Sequence, residues 1–402
     1  MQIEGAIPQS LDFFQNVPII NKYVSKREET FVYPEAANSG YSPQNSIIRF
    51  SLSNGMLDLR KSSWEFYATA SATGGTYVRF SKGITCTVNR LRVMCGTTVL
   101  EDIINFNLLY AAKLLSKDPA FLSTSATVLM GYGDAAARNT DNANPNRRYV
   151  VNLGFLSDLL NRVIPQNYMN SQLRIELYME QAGRCIETDG TNPTYTINNN
   201  QFHYSLLKTT SEFDNLIQFP ILISYKSWEN YVNQYAASTN NSQTIIPIKK
   251  RQMTGIFSVS RNQTDTNNPA SNDKFQTYQL YSQFGNSRYK INNTYFPLDK
   301  VEDTYDSYIQ MVDFWRVKYN QPIQYGNSWP TSFINAQNIC QRTSADEADD
   351  YICGIDTSKD TSSVVSEITF NSGVPALQEV QYYAQYYNVI TINGDKSVVL
   401  FD

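Results

Sequence analysis

Short stretches in which apolar and polar residues alternate run through most of the chain. Ile48 and Phe50 flank one polar residue, and Trp64 and Phe66 repeat that spacing. The clearest example is QLRIELYME at 172–180, where every second residue from Leu173 to Met179 is apolar. Such alternation is typical of a β-strand with one buried face and one wet face. The pattern therefore predicts a mainly β protein.

One segment departs from this alternation and predicts a helix. From Leu100 to Leu115, apolar residues recur at spacings of three and four and give a single apolar stripe. Thr98 is suited to cap the N-terminus of this helix. Glu101 and Asp102 would then place negative charge at the positive end of the helix dipole. We therefore expect a helix that begins near Thr98.

The second half of the chain repeats the order of the first. A strand is predicted in TGIFSVSRN at 254–262, and a second amphipathic helix in VEDTYDSYIQMVDFW at 301–315, with Glu302 and Asp303 in its first turn. Further on, SEITFNS at 366–372 takes the place of RIELYME. The triplet Thr-Ile-Asn occurs at 196–198 and again at 391–393. The shared order indicates a tandem duplication.

Composition agrees with two β domains. Hydrophobic residues make up 42% of the chain and charged residues only 17%, with 28 Tyr and 20 Phe. Aromatic residues favour strands and large subunit interfaces. Long polar loops are expected at 131–149, 260–285 and 340–362. Each copy of roughly 180 residues has room for about eight strands, which are usually arranged as a sandwich or a jelly roll.

Charge does not favour binding to nucleic acid. The formal net charge is -4, so no global basic field attracts a polyanion. Residues 1–45 contain more acidic than basic side chains, show no sustained periodicity and hold several prolines. They are expected to form an extended arm that does not neutralise phosphates.

The chain shows no targeting or membrane signal that we recognise. MQIEGAIPQSLDFF lacks the basic and apolar regions of a secretory signal. No run of about 18 apolar residues is present. The odd number of cysteines and the absence of a CxxC spacing indicate free thiols in a reducing compartment. The cysteines are Cys86, Cys95, Cys185, Cys340 and Cys353.

Candidate catalytic chemistry is sparse. His203 is the single histidine and lies in a predicted strand, so a structural or surface role is expected. The acidic groups are Glu101-Asp102, Glu302-Asp303 and Glu347-Asp349-Asp350. The first two suit helix N-termini and the third lies in a polar loop. The sequence therefore offers no catalytic, cofactor-binding or metal-binding residue, and neither an enzyme nor a cofactor is expected.

Two short motifs have structural and functional interpretations. SATGGTY at 71–77 lacks the Lys-Ser/Thr of a phosphate-binding loop and is predicted to be a hairpin turn. YYAQYY at 382–387 has the composition of a stacking platform for sugars or bases. A place in the core or in a subunit interface is the alternative that we favour for this motif.

Three stretches carry a resemblance to a known family. They are RLRVMCGTTVLEDIINFNLLYAAKLL at 90–115, NLGFLSDLLNRVIPQNYMNSQLRIELYME at 152–180 and YNVITINGDKSVVLF at 387–401. Over residues 45–402 the chain resembles the double jelly-roll major capsid proteins of the adenovirus and tailless-phage lineage. It is most similar to those of virophages, polinton-like viruses and adintoviruses.

The resemblance implies an all-β fold of two tandem eight-stranded jelly rolls, each with a flanking helix and long loops. We expect an N-terminal extended arm at 1–45, a first jelly roll at 46–212 and a second at 213–402. The implied function is that of a viral major capsid protein. Homotrimers would form pseudo-hexagonal capsomers that tile an icosahedral shell, assembled inside the host cell and located in the virion.

The implied partners are copies of the chain itself, in the homotrimer and in neighbouring capsomers. Penton and minor capsid proteins are also implied, and the arm is a candidate contact to an internal membrane. No direct nucleic-acid binding is expected. The main alternative is a trimeric glycan-binding β-sandwich spike or lectin, and a β-scaffold hydrolase using paired carboxylates is a further one.

Overall fold

Antiparallel strands account for most of the described chain. The computed structural model describes residues 13, 22–43, 47–114, 117, 121–132, 147–250, 252–263, 266, 268–270, 284–302, 306, 310, 314, 352–359, 363–370 and 377–401.

In the first half, the strands are β1 Val24–Val32, β2 Ile47–Ser51, β3 Met56–Thr73, β4 Val78–Phe80, β5 Val88–Cys95, β6 Thr98–Ile104, β7 Arg148–Val151, β8 Val163–Pro165, β9 Leu173–Met179, β10 Ile186–Thr188 and β11 Thr191–Thr209. In the second half they are β12 Ile221–Tyr235, β13 Asn241–Ile246, β14 Met253–Asn262, β15 Phe284–Ile291, β16 Thr294–Val301, β17 Ile352–Lys359, β18 Val364–Phe370, β19 Gln378–Ile392 and β20 Val398–Phe401.

Short helices connect some of these strands. The α-helices are α1 Phe106–Leu114, α2 Thr127–Met130, α3 Ala182–Cys185 and α4 Ser211–Leu216. Turns of 3₁₀ helix lie at Ile84–Thr87, Leu153–Phe155, Leu159–Asn161 and Gln166–Tyr168, and a π-helical turn lies at Leu122–Ala126.

The first half folds into a sandwich of two sheets. Sheet I has the strand order β1-β11-β3-β7, with β8 added beside β3, and sheet II has the order β2-β9-β5-β6. Strands β4 and β10 form a separate small sheet. Sheets I and II face each other across an apolar core, in which the rings of Phe50 and Phe202 lie 5.8 Å apart.

The second half uses the same plan. Sheet III has the order β12-β19-β14-β17, with β20 beside β19, and sheet IV has the order β13-β18-β15-β16. Strand by strand, sheet III corresponds to sheet I and sheet IV to sheet II. The all-β prediction of two eight-stranded jelly rolls is confirmed. The first five residues of SEITFNS are the end of β18, which corresponds to β9 with its RIELYME, as expected from the shared order of the two halves.

The predicted helix from Thr98 is wrong in its first part. Thr98–Ile104 is strand β6, and helix α1 begins only at Phe106. Val93 pairs with Glu101 and Met94 with Val99, so that Leu100 is the extra residue of a β-bulge. The bulge breaks the two-residue period and places apolar residues three apart, which imitates helical spacing.

The second predicted helix is also displaced at its start. Val301 is the last residue of β16 rather than part of a helix. Asp306, Gln310 and Phe314 are helical, and the other residues of 303–315, including Asp303, lie outside the described residues. Leu100 and Val301, the first residues of the two apolar-Glu-Asp triplets, therefore lie in corresponding strands, β6 and β16.

The N-terminal segment is not wholly a free arm. Val24–Val32 is edge strand β1, paired with β11 from Thr209 to Phe202. Phe13 is buried against the core of the first sandwich. Pairing with β11 satisfies the backbone hydrogen-bonding groups on one side of β1. The short alternating run before Tyr33 does not by itself indicate this pairing.

Other local predictions need correction. The Thr-Ile-Asn triplets lie at opposite ends of the corresponding strands β11 and β19, with Asn393 just beyond the end of β19. SATGGTY is a turn with Gly74 and Gly75 at positive φ, yet β4 after it pairs with β10 and not with β3, so that it is not a hairpin. The predicted loop at 340–362 contains β17. Residues 133–146, 271–283 and 340–351 lie outside the described residues.

Trp64 tests whether β3 has one buried face and one outer face. Its ring is buried and stacks on Phe66 at a centroid distance of 3.8 Å, and its indole N–H donates to Asn200 Oδ1 at 3.0 Å. We expect Trp64→Ala to lower the free energy of unfolding by about 3–5 kcal/mol. Ser63→Ala, next to it on the outer face, should change the free energy by less than about 0.5 kcal/mol. Urea denaturation measures both variants, and equal losses would contradict this arrangement of β3.

Candidate functional site

Sheet III is covered on both of its faces. Tyr382 of β19 points towards sheet IV and belongs to the core of the second sandwich. The next residue, Tyr383, points the other way and belongs to the core cluster of the first sandwich. The face of sheet III that points away from sheet IV is therefore packed against the first half. We call this contact region the seam.

Asn105 lies at the centre of the seam. It adopts a left-handed backbone with φ 51 between β6 and α1, a conformation that Asn tolerates better than most residues. Its side-chain NH₂ donates to Gln381 Oε1 at 2.9 Å and to Asn230 Oδ1 at 3.1 Å. Its carbonyl accepts from the Tyr383 hydroxyl at 3.0 Å. One turn residue of the first sandwich thus binds two strands of the second.

Strand β12 adds further bonds across the seam. The Tyr225 hydroxyl donates to the carbonyl of Leu100, which is the bulge residue of β6. The Trp228 indole N–H donates to Leu156 O at 3.3 Å. The Lys226 backbone N–H donates to Asp158 Oδ2 at 2.9 Å. These groups are largely buried, so separating the two sandwiches would leave their polar atoms to be solvated anew.

An ion-pair group extends the seam at β19. Arg261 of β14 donates to Glu379 Oε1 at 2.6 Å, and Arg184 of α3 approaches Glu379 Oε2 at 3.5 Å. Gln381 also donates to Glu379 at 2.7 Å. The carboxylate therefore links a strand of the second sandwich to a helix of the first.

Glu101 is a fully buried carboxyl group at the seam. Burial raises its pKa to about 8, and the nearby charges of Asp158 and Asp102 act in the same direction. Hydrogen bonds with Ser157 and with Ser227 of β12 act in the opposite direction. Glu101 is thus held mainly in its protonated form at neutral pH, which avoids an unpaired buried charge.

The outer face of sheet I contrasts with the seam. We use this name for the side chains of sheet I that point away from sheet II: Phe31, Ser63, Glu65, Tyr67, Arg148, Val150, Gln201 and His203. All of them are exposed or half-exposed. Phe31 is 45% exposed, and its ring lies 5.4 Å from the rings of Tyr33 and His203. None of these eight side chains is buried in the single chain, whereas Leu207 and Asp58, farther along the same side of sheet I, are buried.

Among the described residues, those singled out for chemistry do not come together. His203 lies on β11 with its Nε2 3.2 Å from Gln201 Oε1 and 3.4 Å from Glu65, as expected for a surface histidine. Glu101 is buried while Asp102 pairs with Arg90 on the opposite face of β6. Glu347, Asp349 and Asp350 lie outside the described residues. Across the described ranges, no group of three His, Cys, Asp or Glu residues is placed to hold a metal ion.

The tyrosine run at 382–387 is part of the core. Tyr382, Tyr383 and Tyr386 are buried, and Tyr387 is half-buried. Of the two interpretations, the one that places the run in the core or an interface is confirmed, since no open platform is formed by these rings. Cys86, Cys95 and Cys185 are buried thiols. In the part of the chain that the structure describes, no helix has the length and apolarity needed to cross a membrane.

Comparison with known proteins identifies the fold. No protein-family model matches the chain, and no curated protein matches it. Solved structures do match. A chain of the Sputnik virophage has a TM-score of 0.60 at 11% identity, covering 94% of this chain and 89% of that one. A chain of the PBCV-1 virus capsid has a TM-score of 0.59 at 10% identity, covering 94% and 97%. The Faustovirus major capsid protein has a TM-score of 0.56 at 10% identity, covering 91% and 90%.

These likenesses extend over both sandwiches and over nearly the whole length of each compared protein. The resemblance to double jelly-roll capsid proteins is therefore confirmed at the level of fold. The sequence did not reveal the seam, because its members are Asn, Gln, Tyr and Trp residues scattered over both halves. A signal was present in β19, where QEVQYYAQYY has aromatic residues on both strand faces, as expected for a strand buried on both sides.

The buried Glu101 predicts how stability depends on pH. Its pKa is about 8 in the folded chain against an ordinary value of 4.5, so the folded state holds a proton that the unfolded state has lost. Stability should therefore fall as pH rises from about 5 to about 8, by on the order of 3 kcal/mol from this group. Glu101→Gln should flatten this dependence. Urea denaturation at both pH values measures it, and equal slopes for the two proteins would contradict the assignment.

Proposed function

We propose that the protein is a viral major capsid protein that works by self-association as a homotrimer. The observation that carries this proposal is a mismatch between two corresponding faces. The outer face of sheet III is buried by the first sandwich of the same chain, whereas the outer face of sheet I, which has the same place in the first sandwich, is uncovered.

The seam is a heterologous contact between unlike surfaces. On one side are the end of β6 and the start of α1, and on the other is a sheet face. The second sandwich has its own counterpart of the first side, at the end of β16 and the helical residues Asp306, Gln310 and Phe314. If this side meets the outer face of sheet I in another copy, the same contact recurs from chain to chain. Heterologous contacts of this kind close into rings when the rotation permits.

Ring closure by three chains gives six sandwiches in a pseudo-hexagonal arrangement. Each chain supplies one seam internally and one between copies. The outer face of sheet I has a composition suited to that contact, since aromatic residues and arginine are enriched in interfaces. Its ionic groups, Glu65 with Arg148 and with His203, are already paired within the face, which lowers the cost of covering them.

The role in the virion follows from the same proposal. Trimers would act as capsomers that tile an icosahedral shell with neighbouring capsomers, and penton and minor capsid proteins would complete it. An internal membrane remains a proposed partner of the N-terminal segment, restricted to residues before β1. Direct nucleic-acid binding and enzymatic activity form no part of the proposal. The lectin alternative would need an accessible aromatic platform, and the tyrosine run of β19 does not supply one.

The oligomeric state tests this proposal. We expect mass photometry of the purified protein to give a particle of three times the chain mass. Phe31→Glu with Val150→Glu places two charges on the outer face of sheet I, and the cost of burying them should convert the trimer into monomers.

Ile245→Glu is the control, because Ile245 is 73% exposed and lies on β13, the edge strand of sheet IV opposite β16, outside both sides of the proposed contact. It should leave the trimer intact. A wild-type protein that stays monomeric at high concentration would contradict the proposed function. A trimer that survives the double substitution would place the contact elsewhere.

A further inference from the structure

The outer face of sheet II carries a cluster of arginines that the proposed assembly does not use. The side chains that point away from sheet I include Arg49 on β2, Arg174 on β9, and Arg90 and Arg92 on β5. All four lie between 22% and 43% exposed. We call this cluster the arginine face. It is a local positive region on a chain whose formal net charge is -4.

The arginines of this face outnumber its carboxylates. Arg90 forms a two-point contact with Asp102. The other three share Glu176, with distances of 3.1 Å from Arg49, 3.3 Å from Arg174 and 3.6 Å from Arg92. Arg92 also lies 3.8 Å from Asp102, and Glu35 adds a third carboxylate to the face, where it accepts from Ser51 of β2. Four guanidinium groups thus face three carboxylates, and like charges this close repel one another. The face therefore keeps an excess of positive charge, carried by side chains that remain partly exposed.

The second sandwich provides an internal reference for what the fold itself requires. The pairing registers align sheets II and IV position by position. The following positions correspond: Arg49 with Gln243, Arg90 with Asn286, Arg92 with Arg288, Arg174 with Val365 and Glu176 with Glu367.

One arginine is enough to hold the central glutamate in sheet IV. Arg288 donates to Glu367 at 2.7 Å, and Gln243 donates to the same carboxylate at 3.3 Å. Sheet IV forms the same four-stranded arrangement, with Lys290 at the position that Met94 has in sheet II. Arg90 is paired with Asp102, so Arg49 and Arg174 are the two arginines that a sheet of this type does not require. Their presence indicates a ligand with negative charge.

The alternation of charge on this face favours a protein ligand over a nucleic acid. Arg49, Glu176, Arg92 and Asp102 form one row across the four strands. The two carboxylates in the row would repel a continuous chain of phosphates. A peptide can place its own carboxylates between them, and the apolar side chains of Ile47 and Ile104 on the same face can contact its non-polar atoms. Bidentate pairing of guanidinium with carboxylate suits such a ligand.

We propose that the arginine face is a docking surface for an acidic segment, rich in Asp and Glu, of a partner protein. The inference stands on sheets II and IV and does not depend on the proposed capsid role. Arg49 and Arg174 are the residues whose donors the segment would use, because Glu176 retains Arg92 and Tyr178 without them.

The experiment compares two double variants of the full chain that each remove two positive charges. Arg49→Gln with Arg174→Val gives the arginine face the residues that sheet IV has at the same positions. Arg288→Gln with Lys290→Gln is the matched control on sheet IV. Fluorescence anisotropy measures binding of a labelled peptide of alternating Glu and Ser residues, with a Gln-Ser peptide as the neutral reference.

We expect the acidic peptide to bind the wild-type protein, with affinity that falls as salt is raised. The sheet II variant should weaken binding at least about fivefold, and the sheet IV variant should leave it unchanged. Equal loss in both variants would show a non-specific charge effect and overturn the proposal. So would absence of binding, preference for a single-stranded DNA probe, or a change of oligomeric state in the sheet II variant, which would make the face a contact between copies.

Discussion

The structure depends on the burial of sheet III on both of its faces. A sheet in a sandwich normally has one packed face and one wet face, and sheets I, II and IV keep that arrangement over most of their described residues. In sheet III the outer face is covered by the first sandwich, and its polar atoms are bonded to partners in that sandwich. Asn105 contributes both its amide group and its carbonyl to this contact. Because these bonds are buried, the two sandwiches form one body, and parting them would expose apolar and polar groups together.

The two sandwiches share one strand arrangement but differ in the residues on their outer faces. Corresponding hairpins, β5–β6 and β15–β16, hold corresponding positions in sheets II and IV. The central glutamate with its arginine neighbour recurs at Glu176 and Glu367. The outer faces of the sheets differ. That of sheet III is buried in the seam, whereas its counterpart on sheet I is open. The outer face of sheet II carries arginines at three positions where sheet IV has Gln243, Asn286 and Val365. Comparing corresponding sheets thus distinguishes residues that both sandwiches share, such as Glu176 and Glu367, from residues found in one sandwich alone.

Much of the fold could be predicted from the sequence, since strands with one wet face display their period directly. Alternation located β2, β3, β5 and β9, and the order of elements indicated the duplication. The helix beginning at Thr98 was mispredicted because the bulge at Leu100 shifts the period of β6. Strand β1 was missed because its pairing depends on β11, far away in sequence. The seam could not be predicted, because Asn105 and Gln381 have no local pattern that distinguishes them from surface amides.

The most direct test of the central claim is a cryo-EM reconstruction of the purified wild-type oligomer. We expect three chains in a ring with six sandwiches, in which the outer face of sheet I is covered by the second sandwich of the next chain, as sheet III is covered within each chain. A reconstruction in which Phe31 and Tyr67 face solvent in every copy would contradict the claim that the seam is repeated between chains.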